Sequence, residues 1–311
     1  MKKNHLLVVL LAFTCLLGSS QTTEAEKGLK AAVSNDSLDG WKLSGTLFIN
    51  ASQSSFTNWS AGGQPSVSVN GLFNGRAYYK KDKLSWDNTL DICYGLLKQG
   101  KDADFIKTDD KIDFVSKLGY KAFEKWNYAA LLNFKTQMDK GYNYPNDSVI
   151  ISRFLAPAYI LGAIGLDYKP GDNMSVFIAP VTSKFTIVND QTLADSGAFG
   201  VDPGNKMRAE LGGYIRFSYE KEILKNINFG TKLDLFSNYL NNPGNIDINW
   251  ETLITLKANE FLSASIATQL IYDDDIKIEN DKNDNGTIEA GEYSPLIQFK
   301  EVISIGLTLK F

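Results

Sequence analysis

The acidic segment from Asp281 to Glu292 holds the densest set of possible ligand atoms in the chain. Its sequence, DKNDNGTIEAGE, fits the pattern D-x-[DN]-x-[DN]-G-x5-E in full. Asp281, Asn283 and Asn285 offer side-chain oxygens at positions one, three and five. Gly286 permits the sharp turn, and Thr287 offers its carbonyl. Glu289 can act through a water, and Glu292 closes the set as a bidentate ligand. An all-oxygen set suits a hard cation, so the expectation is a loop that binds Ca²⁺ with a dissociation constant of about 10⁻⁴–10⁻³ M in an extracellular setting. The plainer alternative is a solvated acidic loop, because Asp, Asn and Gly are common in loops and no flanking helices are evident.

A second group of chemical residues is charged and spaced by two. Asp87 and Asp91 share one parity, as do Lys111, Asp113 and Lys117. Lys135 follows, then Arg208, Glu210 and Arg216, then Lys232 and Asp234, then Glu251. Paired carboxylates such as Asp87 and Asp91 can do acid–base work. Facing lysines point instead to an ion-pair network, or to a charge-lined path for a polar solute. The chain's only histidine is His5, and its two cysteines are Cys15 and Cys93. Downstream of the first twenty residues there is thus no Ser–His or Cys–His machinery, no His-ligated zinc and no internal disulfide. Cys93 reads as a small filler residue. No phosphate-binding loop, dinucleotide fingerprint or nucleophile elbow occurs.

The elements that must carry these residues are strands. Near the C-terminus Ile297, Phe299, Ile303, Ile305, Leu307, Leu309 and Phe311 alternate with Gln298, Lys300, Ser304, Gly306, Thr308 and Lys310. Side chains in a strand point to opposite faces with period two. Glu301 and Val302 are the exceptions to the alternation. The same period marks Trp41–Asn50, Ser66–Tyr79, Leu84–Tyr94, Lys111–Lys121 and Trp126–Gln137, and later Met207–Glu220, Ile227–Leu235, Ile246–Lys257 and Leu262–Tyr272. Two less regular strands are expected at about 154–168 and 173–182, interrupted by Pro157 and Pro180. The total is twelve.

Short connections at 80–83, 123–125, 169–172, 221–226 and 259–260 interleave with longer ones at 52–65, 98–106, 139–153, 183–205, 239–245 and 273–295. Aromatics gather beside the short turns: Trp41, Tyr79, Trp86, Tyr120, Trp126, Tyr128, Tyr168, Tyr219 and Phe311. An apolar outer face, a polar inner face, an even strand count and an aromatic girdle predict an all-β, transmembrane, antiparallel up-and-down barrel over residues 40–311. A secreted β-sandwich also alternates, but its strands are shorter, about five or six residues.

The N-terminus fits that setting. Lys2 and Lys3 precede the apolar run Leu6–Leu17, so residues 1–20 read as a signal peptide, with cleavage before Gln21 or after Ala25. Residues 21–39 read as a flexible periplasmic tail. Loss of Lys2 and Lys3 takes the formal charge from −4 to −6, which excludes nucleic acid as an expected partner. The expected location is the outer membrane of a Gram-negative bacterium, with the short turns and both termini in the periplasm. The expected partners are outer-membrane lipid and an unidentified transported solute.

Several blocks resemble a Gram-negative outer-membrane barrel family of unknown function. They include Ser55–Gly63 (SFTNWSAGG), Asp87–Asp91 (DNTLD), Thr108–Lys111 (TDDK), Asn133–Gln137 (NFKTQ) and Gly141–Asn146 (GYNYPN). Lys184–Asp190 (KFTIVND), Gly197–Val201 (GAFGV), Leu235–Tyr239 (LFSNY) and Ile271–Asp275 (IYDDD) complete the set. The resemblance implies the barrel, its location and assembly by the machinery that reads the C-terminal strand. It implies no reaction and does not include the Asp281–Glu292 loop. The leading expectation is a narrow or gated channel for small polar or charged solutes, not an enzyme. The alternative is a plugged structural or surface-interaction barrel with ligand- or calcium-binding loops. A hydrophobic-solute transporter and an outer-membrane hydrolase stand further back.

Overall fold

The computed structural model describes residues 39–56, 63–171, 173–259, 261–280 and 292–310. The expected signal peptide, nearly all of the 21–39 tail, residues 281–291 and Phe311 lie outside the described residues. The strands are β1 Gly40–Ser54, β2 Ser66–Lys81, β3 Leu84–Gln99, β4 Ile106–Phe123 and β5 Trp126–Thr136. A small hairpin follows, β6 Gly141–Tyr142 with β7 Ile150–Ser152. Then come β8 Ala158–Gly171, β9 Met174–Ile187, the short helix α1 Gln191–Asp195 and a 3₁₀ turn at Ala198–Gly200. The rest is β10 Met207–Leu224, β11 Ile227–Asn238, β12 Ile246–Lys257, β13 Leu262–Tyr272, the hairpin strands β14 Lys277–Glu279 and β15 Tyr293–Pro295, and β16 Gln298–Lys310.

Twelve of these close an antiparallel barrel in the order β1, β16, β13, β12, β11, β10, β9, β8, β5, β4, β3, β2. Chain neighbours pair throughout, apart from the small hairpins, as an up-and-down barrel requires. The barrel strands run from 11 to 18 residues, enough to cross a hydrocarbon layer when tilted. Apolar side chains of one parity face outward: Leu43, Ile164 and Ile305 keep 77%, 66% and 65% of their surface accessible. In water that pattern would be a large exposed patch; around a closed barrel it is a lipid-facing belt. At the short-turn end Trp41 packs against Tyr79 and Trp86, Trp126 against Tyr168 and Phe123, and Tyr219 against Phe229. Those contacts form the girdle expected from the sequence.

The two irregular strands begin and end later than the sequence reading placed them, at Ala158–Gly171 and Met174–Ile187. A bulge at Pro180 breaks the alternation along β9, which continues beyond it to Ile187. The β8 register skips between Ile164 and Leu166, and the β10 register skips between Gly212 and Tyr214, both opposite residues 179–181. Pro180 has no N–H for the ladder, so the extra residue sits where a donor is already missing. Gly165 lies against the bulge, where a Cβ would overlap the Ile178 carbonyl and the Ala179 backbone. The inward parity changes across the bulge, from Phe177 and Ala179 to Thr182 and Lys184. A second break, between Gly95 and Leu96 on β3, occurs opposite Thr108. Alternation extended back from Lys111 would aim Lys107 inward; with the break it instead reaches Asp110, Gln137 and the Asp139 carbonyl.

Candidate functional site

Inward parity places all twelve charged candidates on the inner face of the wall. Each lies on a strand whose alternate residues face lipid, so the pleat alone aims them inward. The register stacks them into three tiers.

At the short-turn end Arg76 and Asp87 form a two-pronged pair, at 2.7 and 3.1 Å. Lys117 and Lys169 lie 2.9 and 3.4 Å from Asp167, which also accepts from the Ser175 hydroxyl at 2.5 Å. In the middle tier Asp91 accepts from Asn74. Asp113 accepts from Asn133 at 2.5 Å and faces Lys135 at 3.5 Å. Arg216 holds Asp234 at 2.6 and 3.1 Å, and the Tyr214 hydroxyl donates to the same carboxylate at 2.7 Å. Lys232 lies 3.4 Å from Glu251. Lys111, on the same inner face of β4 as Asp113, belongs to this tier.

The tier at the long-loop end is the most connected. Lys184 lies 2.8 Å from Asp247, 3.4 Å from Asp273 and 3.7 Å from Glu210. Arg208 lies 2.7 Å from Glu210 and 2.6 Å from Asp275. Two cations thus hold four carboxylates, and the network carries a net charge of −2. Oxygens of Glu210, Asp247 and Asp275 lie within 4.8 Å of one another, with the Arg208 and Lys184 cations already among them.

Several of these contacts cross the barrel rather than run along its wall. Lys184 on β9 reaches Asp247 on β12, three strands away. Lys300 on β16 reaches Asp109 on β4 at 2.8 Å, four strands away. Beside the charges, Leu131, Phe177, Tyr214 and Phe236 pack into an apolar cluster from four strands, with Ala129, Ala163 and Ala179. The inner carboxylates are correspondingly buried: Asp91, Asp113, Asp167 and Glu251 keep 2–3% of their surface. The lumen in this conformation is crossed and packed rather than open.

The β9–β10 connection folds over the mouth at the long-loop end. Val188, Leu193, Ala194 and Val201 pack with Ala156 into a small core of their own. Asp190 caps α1 by accepting from the Leu193 N–H at 3.2 Å, and Arg153 lies 3.1 Å from the same carboxylate. That N–H, then Arg153, holds the Asp190 carboxyl below its ordinary range. Arg208 donates to the Gly200 carbonyl at 2.9 Å, which ties this connection to the mouth network.

Of the proposed calcium ligands, Asp281, Asn283, Asn285, Thr287 and Glu289 lie outside the described residues. Glu292 is described and buried, and its carbonyl accepts from the Asn280 N–H at 2.8 Å. The β14–β15 ladder therefore brings the flanks of the motif together. Sequence reasoning placed Lys184 in a loop although β9 carries it, and it placed Asp273 and Asp275 correctly in a loop without counting them as site residues. It also did not join Lys300 to Asp109, because no local pattern marks a contact between strands that are not neighbours.

Residues 51–142 match a family described as proteins of unknown function (DUF3078). That span contains four of the sequence blocks quoted above and the start of a fifth. No curated protein matches the chain. Among solved structures, an outer membrane channel from Pseudomonas putida F1 is similar over 90% of this chain and 100% of its own, with 10% identity and a TM-score of 0.40. The translocator domain of the autotransporter NalP from Neisseria meningitidis is similar over 89% and 90%, with 7% identity and a TM-score of 0.34. A mutant of the TodX monoaromatic hydrocarbon channel is similar over 88% and 84%, with 11% identity and a TM-score of 0.28. Likeness at this level bears on neither cargo nor mechanism.

Proposed function

We propose that this chain is an outer-membrane channel for small polar or charged solutes, closed in the present conformation and gated at its extracellular mouth. The observation that carries the reading is the set of ion pairs that crosses the lumen. Burying charge is costly, and replacing buried ion pairs by packed apolar residues is often neutral or stabilising. A barrel that needed only to hold its shape could fill its interior as the Leu131–Phe177–Tyr214–Phe236 cluster does. Charges of both signs along the whole height instead give a hydrated solute a succession of partners once the cross-lumen pairs separate. The excess of carboxylates at the mouth raises the local concentration of cations, so the preferred solute is cationic.

In this reading the short turns and both termini face the periplasm, and membrane lipid covers the apolar belt. The insertion machinery engages β16 and Phe311, and residues 1–20 are removed. The reading needs no catalytic residue. The Asp281–Glu292 loop takes Ca²⁺ as an ordering ion rather than a reactant.

The test is single-channel conductance of the refolded chain in a planar bilayer, with calcium and then with chelator. Discrete cation-selective steps support the channel, and a change of gating on chelation ties the loop to it. Silence from a barrel shown to be folded, in both conditions and also in Arg208→Ala, overturns it. The packed lumen would then favour a plugged structural or surface-interaction barrel.

A further inference from the structure

The barrel wall is not equally strong around its circumference. Eleven of its ladders pair ten to sixteen residues each. Among the described residues the twelfth, between β1 and β16, pairs only Thr46–Ile49 with Leu307–Lys310. Above that point β1 continues to Ser54 on β2, and β16 continues up to Gln298 on β13, without a ladder between them. The parted stretch lies at membrane height, because Ile303, Ile305 and Leu307 on its outer face are apolar and 55–65% accessible. Exposed sheet edges are not tolerated in contact with hydrocarbon, so the two edges must either zip together or admit something between them.

The inner face beside the seam differs from the rest of the lumen. Phe48, Leu72 and Cys93 form a buried apolar cluster on its β1 side, and Leu253, Ala267 and Val302 form another on its β16 side. Gly306 faces Phe48 across the seam; a Cβ there would overlap the phenyl ring, so the β16 side is kept small. Among the described residues, the buried Thr46 and Ser265 hydroxyls and the Asn74 Oδ1, on β1, β13 and β2, have no hydrogen-bond partner. An apolar strip with a few unsatisfied polar atoms runs inside the seam, an apolar belt lies outside it, and the weakest ladder lies between.

We infer that the wall parts between β1 and β16 to pass a small, mainly apolar solute bearing one hydrogen-bonding group between the lumen and the membrane. The apolar body slides between the Phe48 and Val302 clusters, while Thr46, Asn74 or Ser265 satisfies the polar group. The antiparallel register closes behind it by extension of the existing four pairs. This route is separate from the charged path, and either can fail without the other.

The test staples the seam. Continued register from Ile49 and Leu307 sets Ala51 opposite Ile305, at about 4.5–5.5 Å between Cβ atoms when zipped, a reach a disulfide spans. Ala51→Cys with Ile305→Cys is made in the full chain; Cys93 is buried and out of reach. Entry of the apolar dye N-phenyl-1-naphthylamine into intact Gram-negative cells is followed with the pair reduced and oxidised. Cation conductance of the same purified barrel is followed in parallel. Expected is dye entry several-fold above that of cells lacking the protein when the pair is reduced, background entry when it is bonded, and conductance that is the same in both. Phe48→Asn, which needs no cysteines, is expected to lose dye entry and keep conductance. Dye entry no faster than in cells without the protein, or unaffected by both the bond and Phe48→Asn, overturns the proposal.

Discussion

Replacing Lys184 with Met removes the cation at the centre of the extracellular network while keeping an unbranched apolar stem. The ammonium lies 2.8, 3.4 and 3.7 Å from Asp247, Asp273 and Glu210. At an effective dielectric of about 20, these separations correspond to attractions of about 6, about 5 and about 4.5 kcal/mol. Much of that is offset by the cost of bringing the ammonium out of water. Removing one partner of a buried ionic cluster costs about 3–5 kcal/mol net. Asp247 and Asp273 retain 18% and 13% of their side-chain surface, which sets the expectation at the lower end, about 3 kcal/mol. The lost contact between Lys184 Nζ and the Phe236 ring, 5.0 Å from its centroid, adds to this. The assay is urea unfolding in detergent, followed by tryptophan fluorescence. Lys184→Met with Asp247→Asn is expected to recover part of the loss, because one surplus carboxylate goes with the cation. Lys184→Met alone makes the mouth more negative, so its reversal potential in a KCl gradient is expected to move toward the potassium limit. Stability within about 1 kcal/mol of the parent, together with an unmoved reversal potential, would refute both the energetic and the functional argument.

Arg208→Ala cuts the tie from the β9–β10 connection to Gly200 and Asp275. Longer open times in single-channel records are expected, and unchanged gating would count against a latch. Asp190→Ala removes the cap of α1 and is expected to lower hydrogen-exchange protection of residues 188–205 by about 1 kcal/mol while leaving the barrel strands unaffected. The Asp190 carboxyl is held below its ordinary value by the Leu193 N–H and Arg153. Its contribution is therefore present above the unfolded value of about 3.9 and lost as pH falls through the lower folded one. In the parent chain, protection of this segment should hold from neutral pH to about pH 5 and drop below about pH 4; in Asp190→Ala that acid-dependent drop should be missing. Titration calorimetry with CaCl₂ is expected to show one weak site that Asp281→Ala abolishes, and an equal signal from both chains would dismiss the loop as a ligand.

The legible part of this fold was whatever repeats locally. Leu43, Leu47 and Ile49 against Ser44, Thr46 and Asn50 give away a strand and both of its faces, and the short turns give away the order of pairing. The pattern weakens where one residue changes the parity. Pro180 shifts the inward face from Ala179 to Thr182, so Lys184 was read as part of a loop although it stands at the centre of the mouth network. The extra residue at Thr108 likewise carries Lys107 away from the lumen. Apolar residues on the inner face, Leu72 and Leu131 among them, blur the alternation because they pack against other inner side chains. The Lys300–Asp109 contact joins residues far apart in the chain and four strands apart around the barrel. Charge and parity said that both face inward; only the curvature of the closed sheet makes them meet.

The four-pair ladder also bears on how the chain assembles. Each of the other eleven ladders joins strands adjacent along the chain or separated by one small hairpin, so each can form soon after its second strand is available. The β1–β16 ladder must bring the two ends of the sheet together, at the largest loss of chain entropy and for the fewest backbone hydrogen bonds. Closure is thus the last event of folding and the first to reverse, a kinetic order set by topology. An incomplete chain lacking β16 would remain an open, curved sheet whose β1 and β13 edges are ready to pair with another copy. The barrel therefore cannot close until its thirteen-residue β16 is in place.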